Sequence, residues 1–161
     1  DKVYLSIFYI NDGSKNLSND NWCGGNGRML ALNWKGKYYP CLRYMEDSIS
    51  NQPEYYIGDF IRNSQDNLTI NRLKDLSEIT VISQSPQKCL DCEISGGCSW
   101  CTAYNYQETG NVNKRVTYIC DMHYATVLAS LYYLNSILKK INSNKRFKFN
   151  GDMEKTLKII S

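Results

Sequence analysis

The residues of this chain most able to do chemistry are cysteines. Thiolates bind zinc or iron–sulfur clusters, and thiols in oxidising compartments pair as disulfides. The single histidine, His123, offers no Cys–His catalytic pair beyond Cys120. The chemistry of the chain therefore depends on what its seven cysteines bind: Cys23, Cys41, Cys89, Cys92, Cys98, Cys101 and Cys120.

Three chemistries compete for these thiols. A disulfide framework is disfavoured because seven is odd, no signal peptide is visible, and Cys-x2-Cys pairs are unsuited to disulfides within a larger framework. A zinc site could use the two Cys-x2-Cys pairs, which lie only five residues apart, whereas zinc ribbons separate theirs by a longer excursion. Zinc would also leave Cys23, Cys41 and Cys120 unexplained.

Iron–sulfur clusters account for all seven cysteines. Four-iron clusters are held by thiolates from one tight loop together with a distant residue. Amides of such a loop point at the cluster sulfurs and set the reduction potential. Gly96 and Gly97 before Cys98 allow the backbone to approach closely. Clusters are therefore the favoured hypothesis, and a zinc-binding interaction module without catalytic activity is the alternative.

The order of the cysteines resembles the SPASM domain, the auxiliary-cluster domain of radical SAM enzymes. Cys23 is followed by twelve residues, Gly36, four residues and Cys41, as at the start of that motif. The motif continues with a Cys-x2-Cys-x5-Cys-x3-Cys block and a last Cys. The sequence departs from it at one place, because two residues rather than three separate Cys98 from Cys101. The resemblance covers about two-thirds of the chain.

The resemblance implies two 4Fe–4S clusters. The first auxiliary cluster would be bound by a set of three cysteines and the second by a set of four. The first would lack a fourth protein thiolate, so its last iron would be open to a substrate thiol, held by Asp, Glu or His, or bound from outside the chain. The first set is Cys23, Cys41 and Cys101, and the second set is Cys89, Cys92, Cys98 and Cys120.

A narrower similarity concerns the residues around the cysteines. Residues 97–106 (GCSWCTAYNY) and 114–123 (KRVTYICDMH) are similar to thioether-forming maturases of cysteine-repeat peptides, the ranthipeptide group. That similarity implies an oxidoreductase acting on a Cys-containing precursor peptide. The chain lacks a Cys-x3-Cys-x2-Cys motif, so S-adenosylmethionine and a third 4Fe–4S cluster would belong to an N-terminal radical SAM domain. A different SPASM reaction, such as sulfatase maturation, is a further alternative.

Elements that position the cysteines can be predicted from patterns. We expect a small, irregular, Cys-rich α+β domain with a β-hairpin over residues 28–39, organised around the clusters. Leucines at three- and four-residue steps predict an amphipathic C-terminal helix over 121–141. Shorter helices are expected at 67–76 and 152–160, a buried strand or short helix at 3–10, a short strand at 55–58 and an irregular loop at 89–101. Residues 1–20 are expected to end a preceding region, 21–125 to form the SPASM domain, and 126–161 to form the helix and tail.

Composition places few limits on partners. The net charge of +3 and the absence of a dense basic patch argue against nucleic acid, and no stretch is apolar enough for a membrane span. We expect a cytoplasmic protein.

The hydrophobic fraction of 42% overstates the apolar core, because it counts thirteen tyrosines and seven cysteines. We therefore expect a small apolar core, with the clusters replacing part of it.

Other side chains near the cysteines are secondary candidates. Trp100, Tyr104 and Tyr106 could shield a cluster from water or pack locally. His123 is expected on the surface or behind the cluster ligands. Four cations could offset cluster charge or lie on an ordinary surface: Arg28, Arg43, Lys114 and Arg115.

Overall fold

The described part of the protein is a small α+β fold with a three-stranded antiparallel sheet and five α-helices. The computed structural model describes residues 24–26, 28–62, 66–95, 98 and 100–140. The strands are β1 (Ala31–Leu32), β2 (Lys37–Tyr39) and β3 (Gly58–Asp59), and the helices are α1 (Asn67–Ser77), α2 (Val81–Gln84), α3 (Gln87–Leu90), α4 (Thr102–Thr109) and α5 (Cys120–Lys140).

The chain divides into two compact units that interleave along the sequence. The larger unit contains Leu17–Pro86 and Trp100–Val116, and therefore the sheet, α1, α2 and α4. The smaller unit contains Asp1–Asn16, Gln87–Ser99 and Thr117–Ser161, and its described elements are α3 and α5. The chain thus passes from one unit to the other between residues 99 and 100, inside the second Cys-x2-Cys pair.

A tight turn sets the register of the hairpin in the larger unit. Asn33 accepts bonds from the amides of Lys35 (3.1 Å) and Lys37 (2.9 Å) through its side-chain oxygen. Gly36 adopts a left-handed conformation with φ of 80°, which glycine reaches without a Cβ penalty. Ala31 then pairs with Tyr39, and the predicted hairpin is confirmed.

A half-buried acid ties the hairpin to the following loop. The Glu54 carboxylate accepts hydrogen bonds from the Lys37 ammonium and the Tyr39 hydroxyl. Burial by itself would raise the pKa of Glu54, but these two bonds outweigh it and hold that pKa below its ordinary value. Burial, and then the bond to Glu54, raises the pKa of Tyr39. The network therefore holds a charged carboxylate and a neutral phenol together.

Tyrosines form the centre of the larger unit's core. Tyr44, Tyr55 and Tyr106 are buried and meet at ring centroid distances of 4.8–6.3 Å. Two of the three hydroxyls have backbone partners: the Tyr106 hydroxyl donates to the Pro53 carbonyl at 3.0 Å and the Tyr55 hydroxyl to the Arg72 carbonyl at 3.4 Å. Aromatic rings bury large areas and tolerate a hydroxyl that has a partner. The expectation that tyrosine would leave this core thin was therefore wrong for the larger unit.

Two helices of the larger unit, α1 and α2, begin at residues with capping side chains. Asp66 accepts from the Thr69 amide at 2.8 Å to start α1, and Thr80 with Ser83 forms a reciprocal capping box at the start of α2. The predicted helix at 67–76 is confirmed. Helix α4 was not predicted; it begins directly after the segment expected to be an irregular loop.

The described core of the smaller unit is small. Its buried apolar side chains are Ile94 and Leu131, joined by the buried His123 and Ser130. The predicted C-terminal helix is confirmed as Cys120–Lys140, and Leu128 and Leu138 are half-buried along it. Within 89–101, Cys89 belongs to the short helix α3 rather than to an irregular loop. The segments predicted at 3–10 and 152–160 lie outside the described residues.

The strand predicted at 55–58 is found as the two-residue strand β3, which begins at the last predicted residue and ends one residue beyond it. Only Gly58–Asp59 pairs with β2, in the register Tyr38 to Gly58. Residues 55–57 run extended beside it, and the Ile57 amide donates to the Tyr38 carbonyl at 2.7 Å. The buried side chains of Tyr55 and Ile57 explain why this segment has the pattern of a strand.

Candidate metal centres

The cysteines fall into two groups, one in each compact unit. Cys41 and Cys101 belong to the larger unit, and the other four described cysteines belong to the smaller unit. Cys23 lies outside the described residues. The six described cysteines are half-buried and no disulfide joins any two of them: Cys41, Cys89, Cys92, Cys98, Cys101 and Cys120.

Cys41 and Cys101 each stand at the start of a helical segment. Cys41 precedes a 3-10 turn, Leu42–Tyr44, and Cys101 is the residue before α4. Neither thiol caps its helix, although this is the position where a polar side chain usually does so. Cys101 therefore lies at the N-terminal end of α4, where the helix dipole favours negative charge.

A cation lies next to this pair of thiols. The Arg43 guanidinium donates to the Cys101 Sγ across 3.9 Å and stacks on the Tyr104 ring at 4.7 Å. Burial by itself would lower the pKa of Arg43, but the thiol groups of Cys101 and Cys41 outweigh it and raise that pKa. Tyr104 thus positions Arg43, and Arg43 can compensate negative charge on these sulfurs.

The motif glycine has a mechanical role in this arrangement. Gly36 turns the chain into β2, which leads through Pro40 to Cys41. A Cβ at Gly36 would approach the Ile61 Cγ1 to 2.6 Å in addition to requiring a left-handed backbone. Both constraints favour glycine, so this position has a structural reason independent of any ligand.

The remaining four cysteines lie on α3, the turns after it, and the start of α5. The Cys92 amide donates to the Cys89 carbonyl at 3.4 Å, the Ser95 amide to Cys92 at 3.1 Å, and the Cys98 amide to Ser95 at 3.4 Å. These bonds link Cys89, Cys92, Ser95 and Cys98 one after another through their backbones. The Cys120 amide bonds to the Thr117 carbonyl at 3.2 Å, and the Lys88 ammonium donates to the Thr117 hydroxyl at 3.3 Å.

A tyrosine hydroxyl contacts one of these four thiols. The Tyr124 hydroxyl and the Cys92 Sγ are 3.8 Å apart. Burial, followed by the bond to Cys92, raises the pKa of Tyr124, so the phenol is neutral. A deprotonated Cys92 would therefore accept a hydrogen bond from an uncharged donor, whereas Cys101 accepts one from a cation.

The described side chains do not present a preassembled metal site. Within residues 24–26, 28–62, 66–95, 98 and 100–140, no three His, Cys, Asp or Glu groups lie together so as to hold a metal ion. The donor set fits a cluster in kind, because the described thiols are half-buried and two of them, Cys92 and Cys101, lie within hydrogen-bond reach of a polar side chain. Metal sites commonly assemble only when the metal binds, which couples binding to folding.

Three secondary candidates take structural positions. Trp100 and Tyr106 are core residues of the larger unit, while Tyr104 holds Arg43. Of the two positions expected for His123, the surface position was wrong, because that side chain is only 8% exposed on α5, while a position behind cluster ligands stays a prediction. Lys114 remains without an assigned role. Arg115 serves the fold, since its side chain donates to the Ser85 hydroxyl at 3.0 Å.

Asn105 is the residue that sequence reasoning missed. Its side chain is fully buried and bonds to the Gln84 amide oxygen (2.9 Å), the Val112 carbonyl (3.0 Å) and the Val116 amide (3.2 Å). These bonds hold α4 against α2 and the loop after α4. Asparagine has no periodicity that marks it as buried, so only the structure reveals this role.

No family model matches the chain, and no curated protein and no solved structure is similar to it. Among the described helices, none combines the length and apolarity needed to cross a membrane.

Proposed function

We propose that this chain is the auxiliary-cluster domain of a radical SAM enzyme that forms thioethers on a Cys-containing precursor peptide. Cys23, Cys41 and Cys101 would hold the first 4Fe–4S cluster. The second would be held by Cys89, Cys92, Cys98 and Cys120. When bound, the clusters would supply electron transfer and, at an iron without a protein thiolate, a position for a substrate thiol.

The assignment of Cys98 and Cys101 to different compact units carries this proposal. Only two residues lie between them, yet Cys98 belongs to the smaller compact unit and Cys101 to the larger one. The proposed ligand sets likewise place Cys98 in one set and Cys101 in the other. A single zinc ion held by both Cys-x2-Cys pairs would instead require Cys98 and Cys101 to share one site. The division supports two sets of ligands despite the shortened spacing.

The unequal cores of the two units provide independent support. The larger unit has a tyrosine-centred core of its own, whereas Ile94 and Leu131 are the buried apolar side chains described in the smaller unit. A four-thiolate cluster would add cross-links where apolar burial is small. The set of four cysteines is assigned to that same unit.

A substrate thiol would meet a suitable environment at the first set. Three protein thiolates leave one iron of a four-iron cluster without a cysteine ligand. Arg43 lies beside Cys101 and would reduce the repulsion that an incoming thiolate meets from the sulfurs already there. The domain would bind the peptide through its cysteine, while the hydrogen abstraction takes place in the radical SAM domain.

Anaerobic reconstitution followed by iron and sulfide counting tests the ligand sets. We expect about eight irons with matching sulfide per chain and absorbance near 400 nm. Replacing Cys92 by Ala should remove about half of the iron, and replacing Cys101 by Ala should remove the other half. One zinc per chain, or an iron content that both variants abolish completely, would contradict two separate sites.

Binding of the substrate thiol is tested with paired peptides. A Cys-containing peptide added to the reduced Cys92→Ala protein should change the electron paramagnetic resonance spectrum of the remaining cluster. The same peptide with Ser in place of Cys serves as the control, because it keeps every other contact. Identical spectra with both peptides would rule out the open iron as the binding position. The reaction itself is tested with the whole enzyme and its precursor peptide.

A further inference from the structure

We propose that the outer edge of β1 binds an extended segment of the peptide substrate by strand addition, with an acidic residue of that segment next to Arg28. The inference rests on the proposed function, which makes a Cys-containing precursor peptide the partner. Its geometry comes from the sheet of the larger unit alone, in which β1 is an edge strand of the order β1-β2-β3.

The backbone groups of Leu32 point away from β2. The Asn33 amide donates to the Lys37 carbonyl at 3.1 Å, and bonded and non-bonded pairs alternate along an antiparallel ladder. Leu32 and Tyr38, the next pair in register, are therefore a non-bonded pair. The Tyr38 carbonyl accordingly faces β3, where it accepts from the Ile57 amide at 2.7 Å. The N–H and C=O of Leu32 are directed to the outer edge, where a further strand can bind them.

The side chains along this edge are apolar and alternate between core and solvent. Ala31 is buried, whereas Leu30 and Leu32 on either side of it are 65% and 55% exposed. Trp34, in the turn just beyond, is 87% exposed. Edge strands are commonly protected against pairing by charged side chains or proline, and residues 29–34 contain neither. The edge is therefore suited to pairing with another strand.

An apolar row extends from this edge across the outer face of the sheet. Leu32 lies opposite Tyr38 in register, so both side chains are on the same face. The Tyr38 ring meets the Phe60 ring edge-on with centroids 6.2 Å apart, and Phe60 is 67% exposed. A strand added to β1 would place every second side chain beside Leu32, at the end of this row. Those positions of the peptide should therefore be apolar.

The charges at the two ends of the edge restrict the partner further. Arg28, which precedes the edge, is exposed and is in no ion pair among the residues that the structure describes. Lys35, which follows the edge, is already paired with the Glu46 carboxylate. A carboxylate on the docked segment would therefore lie at the Arg28 end. Such a contact at the rim fixes direction and register more than affinity.

The position of the edge favours the peptide substrate as its occupant. Ala31 lies opposite Tyr39, which is two residues before Cys41. Strands are spaced by about 4.8 Å, so a segment on the outer edge of β1 would lie about 10 Å from β2. A peptide cysteine a few residues beyond the docked segment can therefore reach the surroundings of Cys41.

The test uses the full anaerobic chain and a synthetic probe peptide of alternating valine and threonine with a glutamate at each end. The readout is amide hydrogen exchange measured by nuclear magnetic resonance. The Leu30 and Leu32 amides should become protected, while Ala31, which pairs with Tyr39 inside the sheet, should not change. The control is the same peptide with its backbone amides N-methylated, which keeps the side chains and removes the donors.

Two substitutions at one position separate the backbone from the side chain. Leu32→Pro removes the outward N–H and keeps the hairpin bonds, because proline is tolerated where an edge N–H faces solvent. It should weaken probe binding about fivefold or more, which corresponds to one hydrogen bond of about 1 kcal/mol. Leu32→Val is the matched control and should bind as the wild type does. Exchange at the Ile57 amide shows whether the sheet of Leu32→Pro is intact.

Arg28→Gln tests the predicted charge. It should weaken binding of the probe that carries glutamate and leave unchanged the binding of a probe that carries glutamine instead. Equal effects on the two probes would contradict the acidic residue that is part of the proposal.

Three results would overturn strand addition. The first is equal protection by the N-methylated peptide, and the second is unchanged exchange at Leu30 and Leu32 with a millimolar concentration of the unmodified one. The third is protection of these amides by raising the protein concentration alone, which would identify a second copy of the chain as the occupant. A chain that binds iron but not the probe overturns only this inference. A chain that binds the probe but no iron overturns the proposed function and leaves the edge as a peptide site.

Discussion

Replacing Gly36 by Ala should destabilise the hairpin that leads to Cys41. The backbone at Gly36 has φ of 80°, and an L-residue there costs about 1–2 kcal/mol. The new Cβ would also lie 2.6 Å from the Ile61 Cγ1. Ile61 is 71% exposed and can rotate away, at a cost of about 0.5–1.5 kcal/mol if it leaves its rotamer. The backbone should therefore account for most of a loss of about 2 kcal/mol.

Two matched variants separate the backbone strain from the steric contact. Gly110 has a similar φ of 71°, but its nearest neighbour for a Cβ is the Gln52 side chain at 3.6 Å, an ordinary contact. Gly110→Ala should therefore measure the backbone strain alone. Gly36→Ala combined with Ile61→Ala should recover only the part caused by the contact. Gly36→Asn should be milder than Gly36→Ala, because asparagine tolerates the left-handed region.

The assay is urea unfolding of the anaerobic chain followed by tyrosine circular dichroism, with free energies from linear extrapolation. Hydrogen exchange at the Phe60 amide gives a local measurement, because that amide donates to the Gly36 carbonyl at 2.7 Å. A loss in Gly36→Ala below about 0.5 kcal/mol would refute the reasoning, since that is the effect of ordinary surface substitutions. Full rescue by Ile61→Ala would refute the dominance of the backbone.

Three further predictions concern the rest of the chain. Asn105→Ala should lower the unfolding free energy by about 3 kcal/mol, which is about 1 kcal/mol for each of the three hydrogen bonds lost. Urea unfolding midpoints would measure this loss, and a loss below about 1 kcal/mol would contradict the prediction. Because the pKa of Glu54 is lowered on folding, the contribution of its carboxylate to folding stability is complete above the ordinary value of 4.5 and is lost as the pH falls below that value. Glu54→Gln should therefore flatten that part of the stability–pH curve, and an unchanged slope would contradict the prediction. Removing iron by chelation should increase hydrogen exchange in α3 and α5 more than in the sheet, and equal increases would count against a cluster in the smaller unit.

Much of the fold could be predicted from local patterns. Leu131 and its neighbours at helical spacing predicted α5, and Asn33 with Gly36 predicted the hairpin turn. Helix α4 was missed because its short sequence has weak periodicity and many of its buried residues are polar. Asn105 is the main example, since its burial depends on partners that lie seven to twenty-one residues away.

The sequence names candidate ligand residues but not their surroundings. Residue type selected the cysteines, and their division into two sets is what the resemblance to the SPASM motif implies. It did not single out Arg43 as the donor to Cys101, because that contact joins residues 58 positions apart. Tyr124 was not a candidate at all, since nothing in the sequence near α5 links it to Cys92. Contacts of this range arise from tertiary packing, which a pattern of residue types does not encode.

The interleaving of the two units limits how the protein can be dissected. The chain changes unit between residues 16 and 17, 86 and 87, 99 and 100, and 116 and 117. A fragment that ends at residue 116 would contain every described element of the larger unit but would separate Cys120 from Cys89, Cys92 and Cys98. During synthesis, Cys89 likewise emerges before the residues that complete either unit. Neither unit can be produced as one continuous piece, and the smaller unit is complete only after α5 has been synthesised.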